Sequence, residues 1–185
     1  MQSMFRSSKG LKKIKFNSFN TSNVEDMSFM FCGCSDLTDL NLSKFNTSKV
    51  KSMKYMLTDC SSLEQLNLSN FKTNNVKEME YMFNCCRMLK YLDVSNFKTN
   101  NVKNMKDMFS YCSSLKELNL SSFNTTNVRN MRNMFFECSS LKEINISLFN
   151  LRNVKDMFHM FKGCFEGLKN KVKYQNNKLR FEALN

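Results

Sequence analysis

Apolar residues recur along this chain at a fixed step of 26 residues. Columns of valine, phenylalanine and leucine and two columns of methionine keep this step, and so does a column of cysteine, namely Cys34, Cys60, Cys86, Cys112, Cys138 and Cys164. Agreement among several independent columns predicts repeats that stack on one another. Six repeats span residues 14–39, 40–65, 66–91, 92–117, 118–143 and 144–169. Residues 1–13 form a partial N-terminal repeat, and 170–185 form a C-terminal cap or a basic tail.

Within one repeat, residues 92–117, the apolar spacing changes partway along the chain. Leu92 and Val94 alternate with polar residues, which is typical of a short half-buried strand. Val102, Met105, Met108, Phe109 and Cys112 follow at the spacing of one helical face. Across the next junction, "LKELNLSSFN" is close to the leucine-rich pattern L-x-x-L-x-L-x-x-N. The pattern predicts an α/β repeat fold, a leucine-rich-repeat-like, right-handed β/α solenoid with a parallel strand face and short helices on the opposite face.

The methionine and cysteine columns also raise the question of metal chemistry, because thioether and thiolate are soft metal ligands. Their repetition in every unit, in step with valine and leucine, favours a stacked core with free cysteines. A disulfide between repeats stays open as an alternative. His159 has no repeated counterpart, and no nucleophile, phosphate-loop or zinc-protease motif is present in the sequence. We therefore expect no catalytic residue, no metal site, no cofactor and no enzymatic activity.

The repeat "LNLSSFNTTNVRNMRNMFFECSSLKE" resembles that of the BspA-like leucine-rich repeat surface proteins, and the resemblance extends from Met1 to Leu168. It implies a cell-surface or secreted adhesion module that binds a protein or glycan. The sequence contains neither a signal peptide nor a transmembrane segment, which leaves the location open. Met1 falls in the middle of a repeat, which is expected of a fragment or remnant of a longer array. We expect a monomer.

Polar residues that face outward from the predicted strands form the first candidate binding surface, since solenoids commonly bind partners on an extended face. An alternative is that asparagine and serine simply favour the tight turn and solubility. The candidate strand-face residues are Gln65, Tyr91, Glu117, Glu143, Asn41, Asn67, Asp93, Asn119, Asn145, Ser69, Ser95 and Ser121.

A second candidate surface is basic, in a chain with a net charge of +12. Its residues are spaced along one face of the predicted helices, where they would attract nucleic acid or an anionic membrane. The alternative is a solvated face that aids solubility. The candidate basic residues are Lys51, Lys54, Lys77, Lys103, Lys106, Arg129, Arg132 and Lys155.

The last repeat departs from the pattern, because "CFEGL" replaces "CSSL" with one extra residue. A solenoid must cover the open end of its core. We therefore expect residues 170–185 to fold over this end through Val172, Tyr174, Leu179 and Phe181. Disorder of this basic segment is the alternative.

Overall fold

The computed structural model describes residues 1–17 and 19–185. Each 26-residue repeat forms one coil of a repeat solenoid, and short parallel strands pair from coil to coil at the same repeat position. In order along the chain they are β1 (Lys13–Ile14), β2 (Asp39–Asn41), β3 (Gln65–Asn67), β4 (Glu117–Leu118) and β5 (Glu143–Ile144). The register pairs Leu40 with Leu66 and Leu118 with Ile144, so equivalent residues lie side by side.

The strand ladder is interrupted in the middle of the molecule. Strands β1, β2 and β3 form one sheet and β4 and β5 another, whereas residues 91–93 are not in a strand. The hydrogen bond from the Lys116 N–H to the Lys90 carbonyl is long, at 3.4 Å. The equivalent bond from the Lys142 N–H to the Lys116 carbonyl is 2.9 Å. The strand face therefore loosens beside Tyr91.

The prediction of short helices opposite the strands is wrong. In the described part of the chain, the only helices are α1 (Glu166–Gln175) and a 3₁₀ helix at Phe181–Ala183, both after the last strand. In each repeat the M-x-x-M-F-x-x-C segment, with Leu57 replacing the phenylalanine in residues 53–60, forms consecutive turns, which we call the arch. In residues 105–112, the amide N–H groups of Met108, Ser110 and Cys112 donate to carbonyls three residues back. An α-helix would use carbonyls four residues back.

The remaining N–H groups of the arch point to the next coil. Those of Asp107, Phe109 and Tyr111 donate to the carbonyls of residues 132, 134 and 136, at 2.9, 3.0 and 2.7 Å. This alternation requires left-handed backbone at two positions in each arch, with φ of 53° at Asp107 and 60° at Tyr111. Such a conformation costs a non-glycine residue roughly 1–2 kcal/mol. The ladder of hydrogen bonds between coils offsets this cost.

The core lies between the strands and the arches and consists of stacked identical columns. The residues of one layer, Met105, Met108, Phe109, Cys112 and Leu115, are fully buried. Phe109 stacks between Phe83 and Phe135 with ring centroids 5.4 and 5.7 Å away. The methionine and cysteine columns are therefore packing residues of the core.

A buried threonine column connects the coils on a third side. Thr47, Thr73, Thr99 and Thr125 are at most 1% exposed. The Thr73 hydroxyl donates to the Lys98 carbonyl at 2.9 Å and accepts the Lys98 N–H at 2.7 Å. The threonine column therefore joins adjacent coils.

The C-terminal segment contacts the last coil. Leu168 and Val172 of α1 are fully buried, whereas Tyr174 and Phe181 are 92% and 80% exposed. The Asn176 amide donates to the Phe149 carbonyl at 2.9 Å, as Asn96 does to Phe71 between two coils. The N–H groups of His159 and Phe161 donate to the carbonyls of Glu182 and Ala183. Residues 176–183 thus supply the partners that a further coil would supply, although Tyr174 and Phe181 stay outside the packing.

The cysteine column also bonds between coils. The Cys112 thiol donates to the Phe83 carbonyl at 3.2 Å, and Cys138 donates to Phe109 at 3.0 Å. All eight cysteines are free thiols, and Cys32 and Cys85 are the two that are only half-buried. Burial raises the pKa of the column thiols, that of Cys164 to about 12.

We predict that replacing Thr73 by valine destabilises the protein by about 1–3 kcal/mol, because two backbone groups of Lys98 lose their partner. The measurement is the free energy of unfolding in urea. Thr73→Ser is the matched control, since it keeps the hydroxyl and removes only a methyl group. Equal stability of the valine and serine variants would contradict the bridging role of the hydroxyl.

We predict that maleimide modifies Cys32 and Cys85 of the folded protein at least about tenfold faster than the six column cysteines, because the thiolate is the reactive form and burial suppresses it. Mass spectrometry of timed digests measures each site. Rates should increase with pH, since the shifted pKa values leave the thiols protonated near neutrality. In urea all eight should react alike, and uniform rates in the folded protein would refute the buried column.

Candidate functional site

A groove of about 600 Å³ lies on the strand face where the ladder is interrupted. Buried Leu92, Leu118 and Ile144 form its floor. Helix α1 contributes one wall through Lys171 and Gln175. The Gln175 side chain is fixed there, because it accepts the Ile146 N–H at 2.9 Å and donates to the Ile144 carbonyl at 3.0 Å.

The polar lining of the groove comes from predicted strand-face residues. Tyr91 is 61% exposed, and it occupies a column that holds Gln65 and Glu117 in the neighbouring coils. The groove brings together six of the twelve predicted residues, which are Tyr91, Asp93, Glu117, Asn119, Glu143 and Asn145. It leaves out Asn41, Gln65, Asn67, Ser69, Ser95 and Ser121.

Two of its carboxylates are forced close together. Glu117 and Glu143 are register partners in the parallel pair of β4 and β5, and adjacent strands lie about 4.8 Å apart. Like charges directly opposite each other are destabilising. Lys171 is the one basic residue in the described lining of the groove. The groove is therefore acidic and suits a ligand that brings positive charge.

The asparagine and aspartate column of the strand face has a structural role. In each coil its Oδ1 accepts the N–H of the serine two residues later, as from Ser69 to Asn67 at 3.0 Å and from Ser95 to Asp93 at 2.9 Å. The Ser95 side chain, together with its backbone N–H, holds the pKa of Asp93 below its ordinary value. The alternative that these residues favour the tight turn thus accounts for the Oδ1 atom of each asparagine or aspartate in the column. Of the predicted strand-face residues that line the groove, three form no such turn, namely Tyr91, Glu117 and Glu143.

The basic residues predicted on a helix lie instead on extended backbone and on the arch. What we call the basic row consists of five exposed residues, Lys51, Lys77, Lys103, Arg129 and Lys155. Each lies one residue before a position that forms a parallel bridge with a neighbouring coil. Backbone bonds join its members, as from the Lys155 N–H to the Arg129 carbonyl at 2.8 Å. The five cations are therefore in register from coil to coil.

Ion pairs neutralise only part of this basic surface. Lys51 bonds Glu25 at 2.8 Å and holds the pKa of that carboxyl below its ordinary value. Lys54 and Arg132 lie 3.6 and 3.8 Å from Glu78 and Asp156. Lys106 lies over the Tyr81 ring. Among the residues that the structure describes, no carboxylate pairs with Lys77, Lys103, Arg129 or Lys155.

Metal and membrane features are absent from the described residues. No three histidine, cysteine, aspartate or glutamate side chains in residues 1–17 and 19–185 converge in a way that could hold a metal ion. Over the same residues, no helix has the length and apolar character needed to span a bilayer. His159 is on an arch beside Phe158, with ring centroids 3.8 Å apart.

Sequence reasoning missed Lys171 and Gln175. They belong to α1, which is outside the 26-residue period, so no repeat column marks them. It also missed that the ladder loosens at 91–93. One available signal was that repeat 66–91 carries "RMLKY" where others carry serine and acidic residues.

The crystal structure of a leucine-rich repeat protein from T. pallidum is similar to this one, with a TM-score of 0.51, 19% identity, and coverage of 84% of this chain and 78% of that chain. A leucine-rich repeat protein from Bacteroides ovatus ATCC 8483 gives a TM-score of 0.39 and 18% identity over 70% of this chain and 38% of that chain. No curated protein sequence matches.

The model of one sequence family matches the chain twice, over residues 1–92 and 86–179. The first structural match supports a leucine-rich repeat solenoid, and at this identity it supports the fold alone. Because the two family matches together span most of the sequence, the chain belongs to the family described as Mycoplasma protein of unknown function, DUF285.

Proposed function

We propose that this protein is a non-enzymatic interaction module that binds a partner through the strand-face groove. The observation that carries the proposal is the meeting of exposed Tyr91 with the paired carboxylates Glu117 and Glu143 above an apolar floor. A concave, partly apolar surface with a few convergent polar groups is the usual form of a binding site. Tyrosine is also among the residues that most often dominate interface energetics.

The charge of the groove favours a protein segment that carries lysine or arginine. A cationic side chain between Glu117 and Glu143 would relieve their mutual repulsion, and it could also contact the face of the Tyr91 ring. A glycan is the alternative ligand, bound through its hydroxyl groups. The resemblance to BspA-like repeats supports extending this role to adhesion at a cell surface, which we include in the proposal.

We predict that peptides selected from a random display library on the whole chain are enriched in lysine and arginine. For the best peptide, Tyr91→Ala and the double variant Glu117→Gln/Glu143→Gln should each weaken binding by about tenfold or more, the effect of losing an interface hot spot. Isothermal titration calorimetry measures the affinities. The matched control is Gln65→Ala, at the Tyr91 position one coil earlier and outside the groove, and it should bind normally.

Two results would contradict the proposal that the strand-face groove is the binding site. Equal loss in the Gln65 and Tyr91 variants would mean that the whole strand face binds without a preferred position. Full binding by the Tyr91 and glutamate variants would place the contact elsewhere. Because these side chains are exposed, none of the four substitutions should lower the melting temperature, and loss of the repulsion between Glu117 and Glu143 should raise it slightly.

A second candidate function is binding of nucleic acid or an anionic membrane through the basic row. It is favoured by four consecutive in-register cations, Lys77, Lys103, Arg129 and Lys155, that no described carboxylate neutralises. Adjacent strands are about 4.8 Å apart, so the repulsion between these charges is reduced when a polyanion lies along the row.

For this function we predict that duplex DNA or vesicles with anionic lipid bind with an affinity that falls steeply as salt rises. Fluorescence anisotropy and vesicle sedimentation measure it. Charge reversal at Lys77, Lys103 and Lys155 should abolish binding. The same reversal at Lys15, Lys90 and Lys142, which are exposed and lie outside the basic row, is the control for net charge. If both triple variants lose binding equally, overall charge explains it and the row has no specific role.

A further inference from the structure

A second groove, of about 550 Å³, lies just beyond the ends of strands β2 and β3. It follows the turns that leave the strand face in three consecutive coils. Its lining consists of Ser43, Lys44, Phe45, Asn46, Ser69, Asn70, Phe71, Lys72, Asn74, Asn96 and Lys98. Three of these residues are lysines, and in the part of the chain that the structure describes none is acidic. We call it the lysine groove.

The backbone of the lysine groove is held rigidly. The N–H groups of Lys72 and Lys98 donate to the hydroxyls of Thr47 and Thr73, each at 2.7 Å. The Asn96 amide donates to three carbonyls of the previous coil, including that of Phe71 at 2.9 Å. Lys72 and Lys98 are therefore fixed one coil step apart, about 4.8 Å at the backbone, and the groove keeps its shape without a ligand.

Positive charge in the groove is not neutralised within the described chain. Lys44, Lys72 and Lys98 are exposed and belong to none of its ion pairs, unlike Lys51 and Lys54, which pair with carboxylates. Three ammonium groups around one concavity repel each other, and an anionic group among them would form charge-assisted hydrogen bonds. The geometry thus favours a ligand with a compact negative group.

The rest of the lining indicates what carries that negative group. Phe45 and Phe71 are 2% exposed, so no aromatic face is available for a nucleobase to stack on. Serine hydroxyls and asparagine amides surround the lysines, and they can bond to sugar hydroxyls. The strand-face groove would repel the same ligand, because Asp93, Glu117 and Glu143 line it.

We propose that the lysine groove binds an acidic saccharide through a sulfate or carboxylate group held by Lys44, Lys72 and Lys98. The site is separate from the strand-face groove. One chain could therefore bind a basic protein segment and an acidic glycan at the same time.

Calorimetry at roughly 150 mM salt, where long-range attraction is screened, tests the proposal on the whole chain. The probes are a heparin-derived sulfated disaccharide, a uronic-acid disaccharide without sulfate, the neutral disaccharide of the same backbone, and sodium sulfate. We expect saturable binding of one or both acidic disaccharides and none of the neutral one. The preferred acidic probe identifies sulfate or carboxylate as the recognised group.

Two triple variants with the same charge change locate the site. Lys44→Gln/Lys72→Gln/Lys98→Gln should weaken binding by about tenfold or more, as expected for loss of charge-assisted hydrogen bonds. Lys15→Gln/Lys90→Gln/Lys142→Gln, at exposed lysines outside both grooves and the basic row, should leave the affinity within about twofold. Asn74→Glu puts a carboxylate into the groove and should also block binding. All affected side chains are exposed, and thermal melting checks that each variant folds.

Three outcomes would overturn the proposal. Equal weakening by the two triple variants would show that total charge governs binding. If sodium sulfate displaced the bound acidic disaccharide as effectively as free acidic disaccharide does, the sugar would not be recognised. Absence of saturable binding to both acidic disaccharides would remove the site altogether. None of these outcomes bears on the strand-face groove, because the test of that groove uses peptides.

Discussion

The constant length of the coil is the constraint on which this structure depends. Backbone N–H groups of the arch bond alternately within their own turn and to the next coil, as those of Met108 and Phe109 do. A one-residue change within the arch of one coil would exchange these two roles relative to the coils on either side of it. It would also move the Thr73 hydroxyl away from Lys98 and the Cys112 thiol away from Phe83. Because backbone, hydroxyl and thiol bonds share one 26-residue step, the apolar columns stay aligned and the core is continuous.

Much of the fold was predictable because this step is visible in every buried column. The core residues and most strand positions follow from it, whereas the strand predicted at Leu92 and Val94 is wrong, because the ladder is interrupted there. The arch did not follow, because apolar residues spaced three and four apart suit both a helix and consecutive turns. Left-handed backbone was the missing information. Glycine, aspartate and asparagine, which tolerate that conformation best, occupy its two positions in some coils, as at Gly33 and Asp107. Other coils hold Tyr81, Cys85 or Glu137 there, so residue type gives only a partial signal in the sequence.

The candidate site was predictable only in part, for two physical reasons. Asparagine at the strand face looked like a free polar surface, yet its Oδ1 closes the turn to the following serine, as in Asn67 and Ser69. The groove also depends on Lys171 and Gln175 of a helix that no repeat column predicts. By contrast, Tyr91 stood out from the sequence because it is the one aromatic residue in a column of charged residues and a glutamine. A residue that departs from its column has no repeated structural role to explain it.

This separation of roles explains how one scaffold can present surfaces of opposite charge. Buried columns keep nearly identical residues, because each must match the same column in the coils above and below. Exposed columns have no such restriction, so Asp39, Gln65, Tyr91 and Glu117 can follow one another at one position. The strand-face groove and the lysine groove accordingly meet on one coil, where residues 91–93 line the first and Asn96 and Lys98 line the second, and their charge differs through a few exposed side chains. Substitutions there change what the protein attracts at little cost to the hydrogen bonds between coils, so binding specificity can vary while the solenoid stays the same.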